Sequence, residues 1–157
     1  MNRNKKIALL IIILIGIIVP FIPSFTVIEM FFLLIPFAII FVVTLIYLII
    51  SLINENISTS KALFIFSILP IFIISQIVSG FTVDNIQRVR SNRIISELEQ
   101  IKSEKGILPE KYDVIAGIEY IRMKDNEHFV IKYSRGFMVT EKYESENKNW
   151  KSYGWND

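Results

Sequence analysis

The chain of 157 residues contains no cysteine and a single histidine. The first absence excludes disulfides, thiol catalysis and thiolate metal sites, and it removes redox chemistry as a guide to compartment. With His128 alone, a histidine-based metal cluster cannot be built, and a Ser-His-acid triad would have to use that one residue. No nucleophile elbow, phosphate loop, dinucleotide fingerprint or zinc motif accompanies it. The expectation is a non-enzymatic chain without metal or cofactor.

Charge is scarce in the first 83 residues, where Arg3, Lys5, Lys6 and Lys61 stand against Glu29 and Glu55. The remaining residues hold thirteen basic and thirteen acidic side chains, so the overall charge of +2 belongs to the amino-terminal part. A balanced carboxyl-terminal part gives no electrostatic reason to expect nucleic acid as a partner.

What fills the charge-poor part is apolar. After the basic start, Ile7 to Val19 is interrupted only by Gly16, and large residues around Pro20 and Pro23 replace the small-residue cleavage site of a signal peptide. A retained first span over about residues 7–22 is therefore expected. A second span is expected over about 30–53, with Pro36 near its start and Glu29 at its boundary, and a third over about 62–83. The polar stretch Asn54 to Lys61 separates these two, with Ser58, Thr59 and Ser60 as cap candidates. Within the third run, Pro70 suggests a kink, and Ser67, Ser75, Gln76, Ser79 and Gly80 are the small or polar positions. They read as helix-packing contacts or, in an alternative, as a transport path through Gln76.

Arg3, Lys5 and Lys6 favour a cytoplasmic amino terminus, and three spans then place the carboxyl-terminal part outside the cytoplasm. Arg88, Arg90 and Arg93, just after the third run, pull the other way, and an odd number of spans cannot satisfy both clusters.

Residues 84–157 read as a small α+β domain. The apolar positions Ile86, Val89, Ile94, Ile95, Leu98 and Ile101 recur mainly at three and four, the stripe of an amphipathic helix continuous with the third span. Gly106 and Pro109 end it, with Lys102 and Lys105 in the last turn. A short helical turn is expected at Tyr112–Ala116. Strands follow at Ile118–Met123, His128–Tyr133 and Phe137–Tyr143, with a fourth at Trp150–Trp155. Phe129, Ile131 and Tyr133 share one face, and Phe137, Val139 and Glu141 alternate likewise. A three- or four-stranded antiparallel meander packed on the helix stripe would bury these faces.

The run Arg90 to Pro109, an amphipathic helix closed by Gly106-Ile107-Leu108-Pro109, resembles the end of the long helix and the Gly-x-x-Pro turn of type IV pilins and type II secretion pseudopilins. The meander after it is similar to their globular heads. This resemblance implies an extracytoplasmic helix-plus-meander domain. The family's Gly-Phe-Thr-Leu-x-Glu signature is met only by imperfect copies, Ser24-Phe25-Thr26-Val27-Ile28-Glu29 and Gly80-Phe81-Thr82-Val83, so a pilin-like head on a permanent three-span anchor fits better than a processed pilin.

The aromatic residues Tyr133, Phe137, Tyr143, Trp150, Tyr153 and Trp155 are candidates for an interaction surface, with core packing as the competing reading. The functional expectation is an integral protein of a bacterial cytoplasmic membrane, embedded in the lipid bilayer, that presents its carboxyl-terminal domain to another envelope protein. A pilus or secretion component and a small transporter or channel component are the alternatives.

Overall fold

The computed structural model describes residues 3–154, without the side chains of Pro23 and Met30. The chain divides into two compact units, Met1–Ser79 and Gly80–Asp157.

In the first unit, α1 (Arg3–Ile18) leads directly into a 3-10 turn at Val19–Phe21, where Pro20 lacks the N–H that would carry the helical ladder onward. Ile22 is extended, and its carbonyl accepts the N–H groups of Phe25 and Thr26. Helix α2 (Pro23–Ile28), a π turn at Glu29–Leu33 and α3 (Leu34–Ile53) then run on without a break. The second helical run therefore begins before residue 30, and Glu29 lies inside it, not at its boundary. Pro36 has no N–H to offer the carbonyl of Phe32, and Phe32 belongs to the widened π turn.

Five residues separate α3 from α4 (Thr59–Lys105), so the two must turn back on each other. Thr59 Oγ1 donates to Ser51 O at 3.0 Å, Phe41 meets Phe66 at 5.4 Å, and Phe37 meets Phe72 edge-on at 6.1 Å. These contacts ascend α4 as they descend α3. Helix α1 runs parallel to α4: Lys5 Nζ stands 5.1 Å from the Phe64 ring, Gly16 abuts Ser75 and Phe72, and Ser79 Oγ donates to Ile17 O at 2.9 Å. A methyl group on Gly16 would lie 2.8 Å from Ser75 Cβ and 2.9 Å from Phe72 O, so the approach of the two helices depends on glycine there. By length and composition, the helical runs Arg3–Phe21, Ser24–Ile53 and Thr59–Lys105 are each able to cross a membrane.

The second unit is α+β. Its part of α4 packs on one antiparallel sheet of β1 (Ile118–Arg122), β2 (Phe129–Gly136), β3 (Val139–Glu144) and β4 (Asn149–Tyr153), in that spatial order. The helix ends at Gly106, whose N–H returns to Lys102 O at 2.9 Å and whose φ of 73° suits glycine at a left-handed cap. The core is Ile94, Ile95 and Leu98 from the helix, Leu108 from the loop, and Ile118, Phe129, Ile131, Tyr133 and Tyr143 from the sheet.

Several boundaries differ from the sequence expectation. Residues 112–115 are irregular rather than helical, and Ala116–Gly117 forms the turn into β1. Tyr120 Oη donates to Pro109 O at 2.7 Å, and Arg122 Nη1 to Leu108 O at 3.2 Å, which fastens this segment to β1 without a helix. His128 precedes β2 and closes the β1–β2 turn, where Met123 N donates to its carbonyl.

The third strand starts at Val139, not Phe137. Gly136 pairs with Val139, so Phe137 and Met138 form the two-residue turn, both with positive φ (52° and 59°). That is the backbone of a type I′ hairpin turn, normally given to Asn-Gly. Phe137 is retained there by packing: its ring occupies the space beside Gly80, where an added methyl would lie 2.9 Å from it. The fourth strand spans Asn149–Tyr153, and Trp155 lies outside the described residues.

The helix stripe also shifts. Val89 is 70% exposed and Ile86 45%, whereas Ser91 is fully buried. The face turned to the sheet runs through Asp84, Gln87, Arg88, Ser91, Ile94, Ile95 and Leu98, polar in its first half and apolar in its second. Polar partners on the sheet, described next, account for that change.

Candidate functional site

On the helix-facing side of the sheet, register sets Tyr120, Ile131, Tyr143 and Trp150 side by side across all four strands, with Phe129 two positions before Ile131 on the same face of β2. Ring centroids step from Tyr112 to Tyr120 at 6.1 Å, to Phe129 at 6.2 Å, to Tyr143 at 6.1 Å and to Trp150 at 5.4 Å. Tyr133 closes on Trp150 at 5.7 Å, edge to face. Such offset and edge contacts add to burial by about 0.5–1.5 kcal/mol per pair.

At the Trp150 end the apolar ladder meets charge. Glu141 alternates in phase with Val139 and Tyr143, so its carboxylate points at the helix, and its side chain is only 2% exposed. Arg88 Nη2 donates to its Oε2 at 2.8 Å, Arg135 Nη1 to Oε1 at 3.1 Å, and Ser152 Oγ to Oε1 at 2.6 Å. The Arg88 guanidinium also lies 4.0 Å from the Trp150 ring centroid, the geometry of a cation–π contact. Next to it, Tyr133 Oη donates to Asp84 Oδ1 at 2.6 Å. Burial pushes the Tyr133 hydroxyl pKa strongly upward, and the bond to Asp84 adds to the shift, so it remains a donor throughout the physiological range. Gln87 Nε2 reaches Ala116 O at 3.4 Å, while Gln87 Oε1 and Ser91 Oγ are buried without a hydrogen-bond partner among the described residues.

The cluster thus joins α4, β2, β3 and β4 through one buried carboxylate and two guanidinium groups. Chemically it is a brace: each oxygen of Glu141 is engaged by a neighbour. Of the six aromatic candidates, Tyr133 and Tyr143 are core residues and cannot form an exposed surface. Trp150 is half-buried under Arg88, Phe137 packs beside Gly80, and Tyr153 is half-buried on the opposite face with Lys142 Nζ 5.6 Å from its ring. The structure therefore joins Tyr133, Tyr143 and Trp150 in one packed cluster, which Phe137 and Tyr153 do not enter. Sequence reading missed Arg88, Arg135, Glu141, Ser152 and Asp84 as a group. The available signal was Glu141 itself, a carboxylate in phase with apolar strand neighbours, which demands a cation from the facing helix.

A second polar group lies in the first unit. Gln76, 4% exposed, donates from Nε2 to Glu29 Oε1 at 2.8 Å across two helices, at the first residue of the π turn. Thr26, one turn earlier and equally buried, returns its hydroxyl to Ile22 O at 3.3 Å. Ser67 and Ser75 likewise bond their own helix. Gln76 therefore makes an interhelical contact with an ionisable residue.

His128 Nδ1 and Asp125 Oδ2 are 2.6 Å apart in the β1–β2 turn, and Asp125 Oδ1 accepts the N–H groups of Glu127 and His128. The His128 side chain, followed by these N–H groups, holds the Asp125 carboxyl down to about 2. This is an Asx-type turn lock. No group of histidine, aspartate and glutamate among the described residues is arranged to hold a metal ion. Comparison with known proteins finds no matching family model, curated protein or solved structure.

Proposed function

We propose that the chain is a non-enzymatic integral membrane protein, anchored in a bacterial cytoplasmic membrane by three spans and presenting its α+β unit at the outer face to another envelope protein. The observation that carries this reading is the contrast between the two surfaces. In the first unit the large apolar side chains point outward, Phe32 at 71%, Ile35 at 68% and Leu52 at 69% exposure, over helices of membrane-crossing length. A surface of that kind calls for lipid. The second unit buries an apolar core between its helix and its sheet and carries ion pairs on the outer face of the sheet, among them Lys132–Glu119 at 2.8 Å and Lys142–Glu144 at 2.6 Å.

The basic residues at Arg3, Lys5 and Lys6 support a cytoplasmic amino terminus. The helix closed at Gly106 and followed by a sequential meander supports the narrower pilin-like reading of the second unit. The test is a reporter fused after Asp157 that is active only outside the cytoplasm, paired with one active only inside. Outside activity is expected; inside activity overturns the orientation and moves the partner search to the cytoplasm. Recovery of a stoichiometric protein partner in mild detergent is the companion expectation, and its failure counts against the binding role.

One observation favours a second reading, a small transporter or channel component. Glu29 is an ionisable group inside an apolar helix and is held by Gln76, and such groups mark ion and substrate pathways in membrane proteins. Flux in reconstituted vesicles that disappears in Gln76→Leu would establish it.

A further inference from the structure

The segment Gly80–Arg93 of α4 has one acidic residue, Asp84, and it is turned to the sheet, bonded to Tyr133. Arg88 is turned the same way and bonded to Glu141. At about 100° per residue, Ile86 and Val89 fall on the opposite side of the helix, together with Arg90 and Arg93. Ile86 is 45% and Val89 70% exposed, and the Arg93 side chain is 82% exposed. Arg93 shares its charge with Glu97 at 3.0 Å, the one carboxylate at the margin of this face. The fold has therefore sorted the segment: the acidic side chain and one arginine are consumed against the sheet, and apolar groups and two arginines remain outward.

We infer that this face binds the anionic headgroup layer of a phospholipid membrane. Three features select that occupant. The face combines exposed apolar side chains with positive charge, the composition of an interfacial helix on anionic lipid. It begins at Ile86, three residues after the uncharged run 62–83 ends, so on the reading that this run spans the bilayer, these residues emerge at the headgroups. At 1.5 Å per residue, Val89 and Arg90 lie about 10 Å beyond Val83, and an arginine side chain can reach back from there to lipid phosphates.

The inference rests on the three-span reading, and the test separates the two. Because the chain has no cysteine, Val89→Cys and Ile74→Cys each give one unique site for a nitroxide label in the full-length protein. The labelled protein is reconstituted in vesicles of phosphatidylglycerol or of phosphatidylcholine, and label collisions with oxygen and with a water-soluble nickel chelate are compared. In phosphatidylglycerol, oxygen is expected to dominate at residue 89. That preference should fall by about fivefold for each arginine neutralised in Arg90→Gln and Arg93→Gln. It should also fall in phosphatidylcholine and at high salt, and should survive added inorganic phosphate at constant ionic strength. A nickel-accessible label at residue 89 with an oxygen-accessible one at residue 74 overturns this inference alone. Exclusion of both reagents at residue 89 overturns it in favour of a covering protein. A nickel-accessible label at residue 74 overturns the span itself.

Discussion

Glu141 of β3 and Arg88 of α4 are 53 positions apart in the chain and 2.8 Å apart in space, and the carboxylate is far more buried than its guanidinium partner. That asymmetry gives an unequal pair of mutants. Arg88→Leu strands a buried charge with Arg135 and Ser152 as its remaining partners, and should cost about 3 kcal/mol of unit stability. Glu141→Gln leaves Arg88 and Arg135 partly exposed, so water can take over, and should cost about 1 kcal/mol. Denaturation of the full-length protein in detergent, followed by tryptophan fluorescence, gives both values, since the tryptophans are Trp150 and Trp155. Equal losses, or a double mutant whose loss is the plain sum, would contradict a coupled brace.

Strain at the β2–β3 turn predicts a stabilising substitution. Met138 holds a φ of 59° with its side chain exposed, so Met138→Gly should relieve about 1 kcal/mol in the same denaturation experiment. Phe137→Gly should not gain as much, because it also removes the ring beside Gly80. A destabilised Met138→Gly protein would show that the side chain has a packing role that its exposure does not reveal.

The Asp125 carboxyl gives the pH dependence. Its folded-state pKa lies below the unfolded value, so its contribution is fully present above about pH 4 and is lost as pH falls through about 2. Carbon-13 NMR titration of the carboxyl should place its midpoint near 2, and His128→Ala should move the midpoint upward. A midpoint in the ordinary aspartate range in the wild-type protein would mean that the turn lock does not form in solution.

For the first unit, Gln76→Leu should weaken helix association by about 1 kcal/mol, the scale of interhelical hydrogen bonds between membrane helices. Unfolding in a denaturing detergent titration measures it. Glu29→Gln should have a smaller effect, because a neutral amide still offers an oxygen to Gln76. If Gln76→Leu leaves stability untouched, the contact is not a packing bond and the transport reading gains.

The long helix and its end at Gly106, and the inner face Phe129-Ile131-Tyr133, were readable from periodicity because there the apolar pattern and the burial coincide. Reading failed where tertiary contacts outweighed local preference. Phe137-Met138 carries no turn residue, so local preference leaves the gap between the second and third expected strands at residues 134–136, although Gly136 ends β2 beside a bulge. Ile86 and Val89 fit a core stripe, yet the sheet offers Glu141 and Tyr133 at that level and selects Arg88 and Asp84. Arg88 itself was visible only as one of three arginines bearing on topology. Its partner lies beyond the rest of the helix, a long loop and two strands, out of reach of any local signal.

The π turn at Glu29–Leu33 acts as one residue too many in an otherwise regular rod. Each residue advances a helix by about 100°, so the surplus turns everything after Leu33 by that amount relative to Thr26 and Glu29. The two segments keep separate phases, and no single helical wheel describes residues 23–53. Deleting one residue from the turn would restore a plain α-helix and rotate Glu29, together with Thr26 and the rest of α2, by about 100° relative to α3, away from Gln76, which makes that surplus residue the element that aims the first unit's buried acid.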